Sequence, residues 1–78
     1  MPSQHKSDTK VDSKALGRRL RELRGFDCNQ VEFARICGVT QAQLSKYERG
    51  KAVPPLDVLL RVKRHFGKGL DWLVTGED

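Results

Sequence analysis

Two thiols and two imidazoles, Cys28, Cys37, His5 and His65, are the side chains in this sequence best suited to metal binding or nucleophilic chemistry. A zinc site needs such ligands at short, fixed spacings, typically cysteines about two to four residues apart followed by a matching pair. Eight residues separate Cys28 from Cys37, and the two histidines complete no finger pattern. A hydrolytic site needs a nucleophile, a base and a group that orients the base, and no such set can be assembled. Gly67, Gly69 and Gly76 do not form a phosphate loop. Two cysteines are also too few for the disulfide-dense scaffold of a small secreted protein. Cys37 therefore reads as a small core residue and Cys28 as a partly buried loop residue. Neither an enzyme, a metal site nor a cofactor is expected.

The remaining chemistry is charge. The 78 residues carry 15 Lys and Arg against 10 Asp and Glu, a formal net charge of +5. Residues 1–12 balance to zero, residues 13–68 hold +8, and residues 69–78 hold −3 through Asp71, Glu77 and Asp78. A basic body with an acidic end fits a polyanionic partner for part of the surface, and equally a plain solvated surface; charge alone does not choose between them. The chain length gives room for one domain with a small core. No apolar run approaches the ~18 residues that a membrane span needs. The opening "MPSQHKSDTK" lacks the apolar stretch of a signal peptide. The expectation is a soluble, cytoplasmic protein with reduced thiols, no membrane contact and no small-molecule ligand.

The elements that position these charges are helical. Residues 1–12 are polar and without apolar period, and they read as a disordered arm ahead of a domain spanning 13–78. Leu16, Leu20 and Leu23 then recur at helical spacing, with Asp12 or Ser13 available as a cap and Gly25 as a stop. Asn29 and Glu32 form a capping-box-like pair that opens a second helix, which runs to Cys37 and stops at Gly38. Thr40 and Gln43 repeat the box and open a third, ending near Gly50. Pro54 and Pro55 force a new start, and a fourth helix over Leu56 to Phe66 follows. Its Leu56, Leu59, Leu60, Val62 or Lys63, and Phe66 are expected to wall the core. Leu70 to Val74 supply a short last helix. The fold class is all-α, a compact bundle of five short helices.

The informative stretch is "QVEFARICGVTQAQLSKYERG", residues 30–50. Two short helices joined at Gly38-Val39 must cross steeply to bury Phe33, Ala34, Cys37, Val39, Leu44 and Tyr47 together, which is helix-turn-helix spacing. With "LSKYERGK", a proline-started helix and the closing "LDWLVTG", the chain resembles the DNA-binding domain of lambdoid-phage repressors and Cro proteins, the xenobiotic-response-element family of bacterial regulators. The resemblance covers roughly residues 14–76. It implies a lambda-repressor-like fold whose third helix enters the major groove of double-stranded DNA, with the domain acting as a homodimer.

The resemblance also implies roles. Gln41, Ala42, Gln43 and Lys46 fall on the base-reading face of the third helix. A glutamine amide can pair with adenine N6 and N7, an alanine can meet a thymine methyl, and a lysine can reach guanine O6 or N7. Gln30, Arg49 and Lys51 match positions that contact phosphates, with backbone N–H groups near the last two. Arg24 and Glu48 match a structural ion pair between the first and third helices. Each has a plainer alternative: Gln43 as a cap residue, Gln30 as a brace between helices, Lys46 and Lys51 as solvated lysines. The chain departs from the family pattern at Cys28, where an aliphatic residue is usual, at Lys68, normally apolar, and at Gly69, normally a Ser-like cap. The functional reading is a sequence-specific transcriptional regulator, a repressor of bacterial or phage type that reads a near-palindromic operator. The competing reading is a protein-interaction module of the same fold, an antitoxin or adaptor in which Trp72 marks the partner surface.

Overall fold

Side-chain caps set the starts of the first three helices. In the computed structural model, which describes residues 11–26 and 28–77, the helices are α1 Ser13–Arg24, α2 Gln30–Cys37, α3 Gln41–Glu48, α4 Leu56–Phe66 and α5 Leu70–Thr75. Most of the arm read from the sequence, residues 1–10, lies outside the described residues. Asp12 Oδ1 accepts from the Ala15 N–H at 3.2 Å, Asn29 Oδ1 from Glu32 at 2.8 Å, and Thr40 Oγ1 from Gln43 at 3.1 Å. Each bond satisfies one of the N–H groups that a helix leaves open at its start. Of the two candidate caps on α1, Asp12 takes the role. Ser13 instead donates to the Gly50 carbonyl at 3.0 Å, tying the start of α1 to the end of α3.

Both capping boxes close only from the cap side. The Glu32 carboxylate is turned to Arg35, 3.1 Å away, and the Gln43 amide to the Tyr47 hydroxyl, 3.0 Å away. Spacing allows the return bond, but better partners lie one turn further along each helix.

The core joins Leu16 and Leu20 of α1, Phe33, Ala34 and Cys37 of α2, Leu44 and Tyr47 of α3, Val58, Leu59 and Val62 of α4, and Leu73 of α5. Phe66 packs its ring against Phe33 with centroids 5.5 Å apart. The fourth helix corrects the sequence expectation. Leu56 is 63% exposed and Leu60 40%, while Val58 is buried in their place. The apolar arc of this helix is wider than the core can cover, and Leu56 and Leu60 share the helical stripe of Lys63, whose ammonium keeps that stripe at the surface.

Two glycines fix the geometry around α3. A Cβ on Gly17 would stand 2.5 Å from the Tyr47 carbonyl and 2.6 Å from that of Glu48, so α1 and α3 touch backbone to backbone there. Gly38, between α2 and α3, has φ 76°, the left-handed conformation that side chains resist. The Val39 N–H behind it closes onto the Ala34 carbonyl at 3.0 Å. Together these contacts set α3 across α2 and against α1. Arg19 donates to the Leu73 carbonyl at 3.0 Å and holds α5 onto the opposite side of α1.

Candidate nucleic-acid interface

Burial divides α3 into two faces. Leu44, Tyr47 and Glu48 point inward. Gln41, Ala42, Lys46 and Arg49 are exposed, and they fall with half-buried Ser45 along one side of the helix. Ser45 was not singled out from the sequence, although it lies four residues past Gln41 on the same stripe. Its hydroxyl both donates and accepts, so it belongs with the candidate contacts. Gln43 stands at the edge of this face, half-buried, with its Nε2 donating to Tyr47 Oη. The structure thus engages Gln43 within the protein, beside the plain exposure of Gln41 and Ala42.

Gln41 is braced. Its Nε2 donates to Gln30 Oε1 at 3.2 Å, bridging the first residues of α3 and α2. Gln30 in turn donates from Nε2 to Glu48 Oε1 at 3.1 Å. Glu48 receives two further bonds from Arg24, Nε to Oε2 at 2.8 Å and Nη2 to Oε1 at 2.9 Å. The Glu48 side chain is 2% exposed and that of Arg24 22%. A buried carboxylate needs such a partner, and the planar guanidinium meets both its oxygens. Gln30 therefore serves as a brace between helices while remaining part of the surface where α2 begins.

At the far end of α3, Arg49 and Lys51 are exposed. The backbone N–H groups near them are already engaged: Arg49 N donates to Ser45 O at 3.0 Å, Gly50 N to Tyr47 O at 3.1 Å and Lys51 N to Lys46 O at 2.9 Å. These bonds close the end of α3, which leaves the guanidinium and ammonium groups as the chemistry offered there.

The thiols behave as packing groups. Burial first, then the charge of Glu48, pushes the Cys37 thiol up to about 11. Burial, with Glu32 adding, raises that of Cys28. Neither is activated as a thiolate. Among the described residues no group of three or more His, Cys, Asp or Glu is placed to hold a metal ion. His65 lies edge-on to Phe66, with ring centroids 4.7 Å apart, and His5 is outside the described residues. No described helix is long and apolar enough to cross a membrane.

The departures at the last helix have structural consequences. Lys68 is half-buried with its Nζ 4.9 Å from the centre of the Trp72 ring, a cation over an aromatic face. Gly69 starts α5 without a side-chain cap.

A family profile described as helix-turn-helix matches residues 18–73. The fold is similar to that of the P22 c2 repressor protein, solved in complex with synthetic operator 9T in the presence of Tl+. The two share 24% identity with a TM-score of 0.73, over 88% of this chain and 100% of that one. No curated protein sequence is significantly similar to the chain.

Proposed function

Because the chain belongs to the helix-turn-helix family of lambda-repressor and Cro type, we propose that it is a DNA-binding transcriptional regulator that reads a specific sequence in the major groove. The observation that carries this reading is the outer face of α3, where Gln41 and Ala42 stand exposed at the helix start and Gln41 is braced by Gln30. Gln41, Ala42 and Lys46 carry the base contacts, with Ser45 between them and Gln43 at the edge. Lys51, Arg49 and Gln30 set the register on the phosphates. Arg24 and Glu48 hold the platform. The mode of action in this reading is repression by occupying an operator.

The chain works as a homodimer through the region of α5, where Leu70, Trp72 and Val74 are only half-buried. Two copies then place their α3 helices about 34 Å apart, one turn of the duplex, and read a near-palindrome. Selection from random duplex DNA at moderate salt tests the whole reading. An enriched inverted repeat with half-sites about 10 base pairs apart supports it. Salt-sensitive retention without any enriched sequence refutes it.

The exposed apolar residues Val53, Leu56 and Leu60 favour a second reading, a protein-interaction module of the same fold. The variant Gln41→Ala separates the two. It abolishes recognition of one base position under the first reading and leaves partner binding untouched under the second.

A further inference from the structure

We propose that Glu48, which touches no base, decides which end of the Gln41 amide faces the DNA and thereby which purine the chain accepts. The proposal rests on the reading of α3 as the base-reading helix.

A glutamine amide is almost symmetric in shape but not in chemistry: one end donates and the other accepts. A free Gln41 presents either order. The chain of bonds behind it removes the choice. The Glu48 carboxylate, held by the Arg24 guanidinium at 2.8 and 2.9 Å, offers only acceptors. Gln30, 3.1 Å from Glu48 Oε1, must therefore turn its NH2 group inward. The flipped amide would set two oxygens against each other beside a side chain that is 2% exposed. With its nitrogen committed, Gln30 leaves its oxygen toward Gln41, 3.2 Å away, and Gln41 must answer with its own NH2. What remains at Gln41 is a carbonyl oxygen and the second N–H, in one order.

That pair matches the major-groove edge of adenine, the N–H to N7 and the carbonyl to the N6 amino group. Guanine presents two acceptors, N7 and O6, and meets the carbonyl oxygen head-on. A Gln41 released from the chain rotates and gives its NH2 to guanine instead. Glu48 is thus a positioning residue for specificity, acting through Gln30, in addition to pairing with Arg24.

The test uses the full chain and the duplex found by selection. The relevant base pair is the one whose preference Gln41→Ala removes. Binding to duplexes with adenine or guanine there is compared for the wild type, Glu48→Gln and Gln30→Met, with circular dichroism to confirm folding. The wild type is expected to prefer adenine by about tenfold or more, and both variants to reduce the ratio to within about threefold while preferences at other positions persist. In a Gln41→Ala background, Glu48→Gln is expected to leave the ratio unchanged. A merely structural role would weaken all duplexes alike and leave the adenine-to-guanine ratio intact. Gln30→Met keeps the Arg24–Glu48 pair, so it answers even where Glu48→Gln fails to fold. An unchanged ratio in folded Gln30→Met overturns the proposal and leaves the DNA-binding reading standing. A wild type without preference at any position overturns both.

Discussion

The seam between α1 and α3 yields a prediction whose sign runs against local propensity. Replacing Gly17 by alanine in the middle of α1 would, in an isolated helix, stabilise by about 1 kcal/mol. In the folded chain the new Cβ would stand 2.5 Å from the Tyr47 carbonyl oxygen, where ordinary contact begins at 3.4 Å, so the seam must open by about 0.9 Å. Neither neighbour is free to turn aside. The Tyr47 carbonyl accepts from the Gly50 N–H at 3.1 Å, and Glu48 is held by Arg24 across the same seam.

Overpacking costs about 1–3 kcal/mol, and a clash with two backbone carbonyls rather than a flexible side chain belongs in the upper part of that range, about 2–3 kcal/mol. After the propensity gain, Gly17→Ala is expected to lose roughly 1–2 kcal/mol of stability. For a domain of this size that lowers the melting temperature by roughly 5–15 °C. Thermal melts and urea titrations followed by far-UV circular dichroism measure it. Glu22→Ala, on the exposed side of the same helix, serves as the control and should stay within about 0.5 kcal/mol of wild type. A Gly17→Ala protein that melts at or above the wild-type temperature would refute the claim that backbone contact at this seam positions α3.

Lys51→Ala should weaken binding to all sequences alike and reduce the slope of log affinity against log salt by about one unit, a change seen by titration at several salt concentrations. A loss confined to one base position would instead move Lys51 among the reading residues. Cys37 predicts an alkaline weakness. Its thiol titrates near 11 in the fold against an ordinary 9.0, so the folded state holds the proton more tightly. The associated stability is fully present below pH 9 and is lost as pH rises toward 11, about 2–3 kcal/mol in all. Urea titrations across that window should show the difference between wild type and Cys37→Ala shrinking with pH, and parallel curves would contradict the assignment. Gly69→Ser should stabilise by a few tenths of a kcal/mol and raise the melting temperature by about 1–3 °C, because the backbone there is extended, nothing lies within 4 Å of a new Cβ, and a hydroxyl supplies the missing cap.

How much of this the sequence shows depends on how far apart the interacting residues lie. Helix starts and stops are local, and they were legible: Asn29 and Thr40 cap where their spacing predicts, Gly38 ends α2, and the bounds of α4 coincide with the expected Leu56 to Phe66. The inward face of α4 was not. Its apolar residues satisfy the helical period in more than one register, and periodicity counts Leu56 and Leu60 as readily as Val58. Only the shape of the surface formed by the other helices chooses between them. Gly17 is indistinguishable by sequence from any other glycine in a helix for the same reason, since its value lies in carbonyls thirty or so positions away.

The candidate site divides along the same line. That Gln41, Ala42 and Lys46 share an exposed face follows from counting along one helix. That Gln43 turns to Tyr47 is also within one helix, but it depends on which of two allowed partners its amide chooses. The chain from Gln41 through Gln30 to Glu48 and Arg24 joins four side chains from three helices and exists only once α1, α2 and α3 are packed. Resemblance to a family supplied its separate members, a brace and an ion pair, without the connection between them. The connection matters because hydrogen bonds carry direction. An acceptor fixed at the buried end orders every amide outward from it, so the packing of the core and the choice of base become one physical question rather than two.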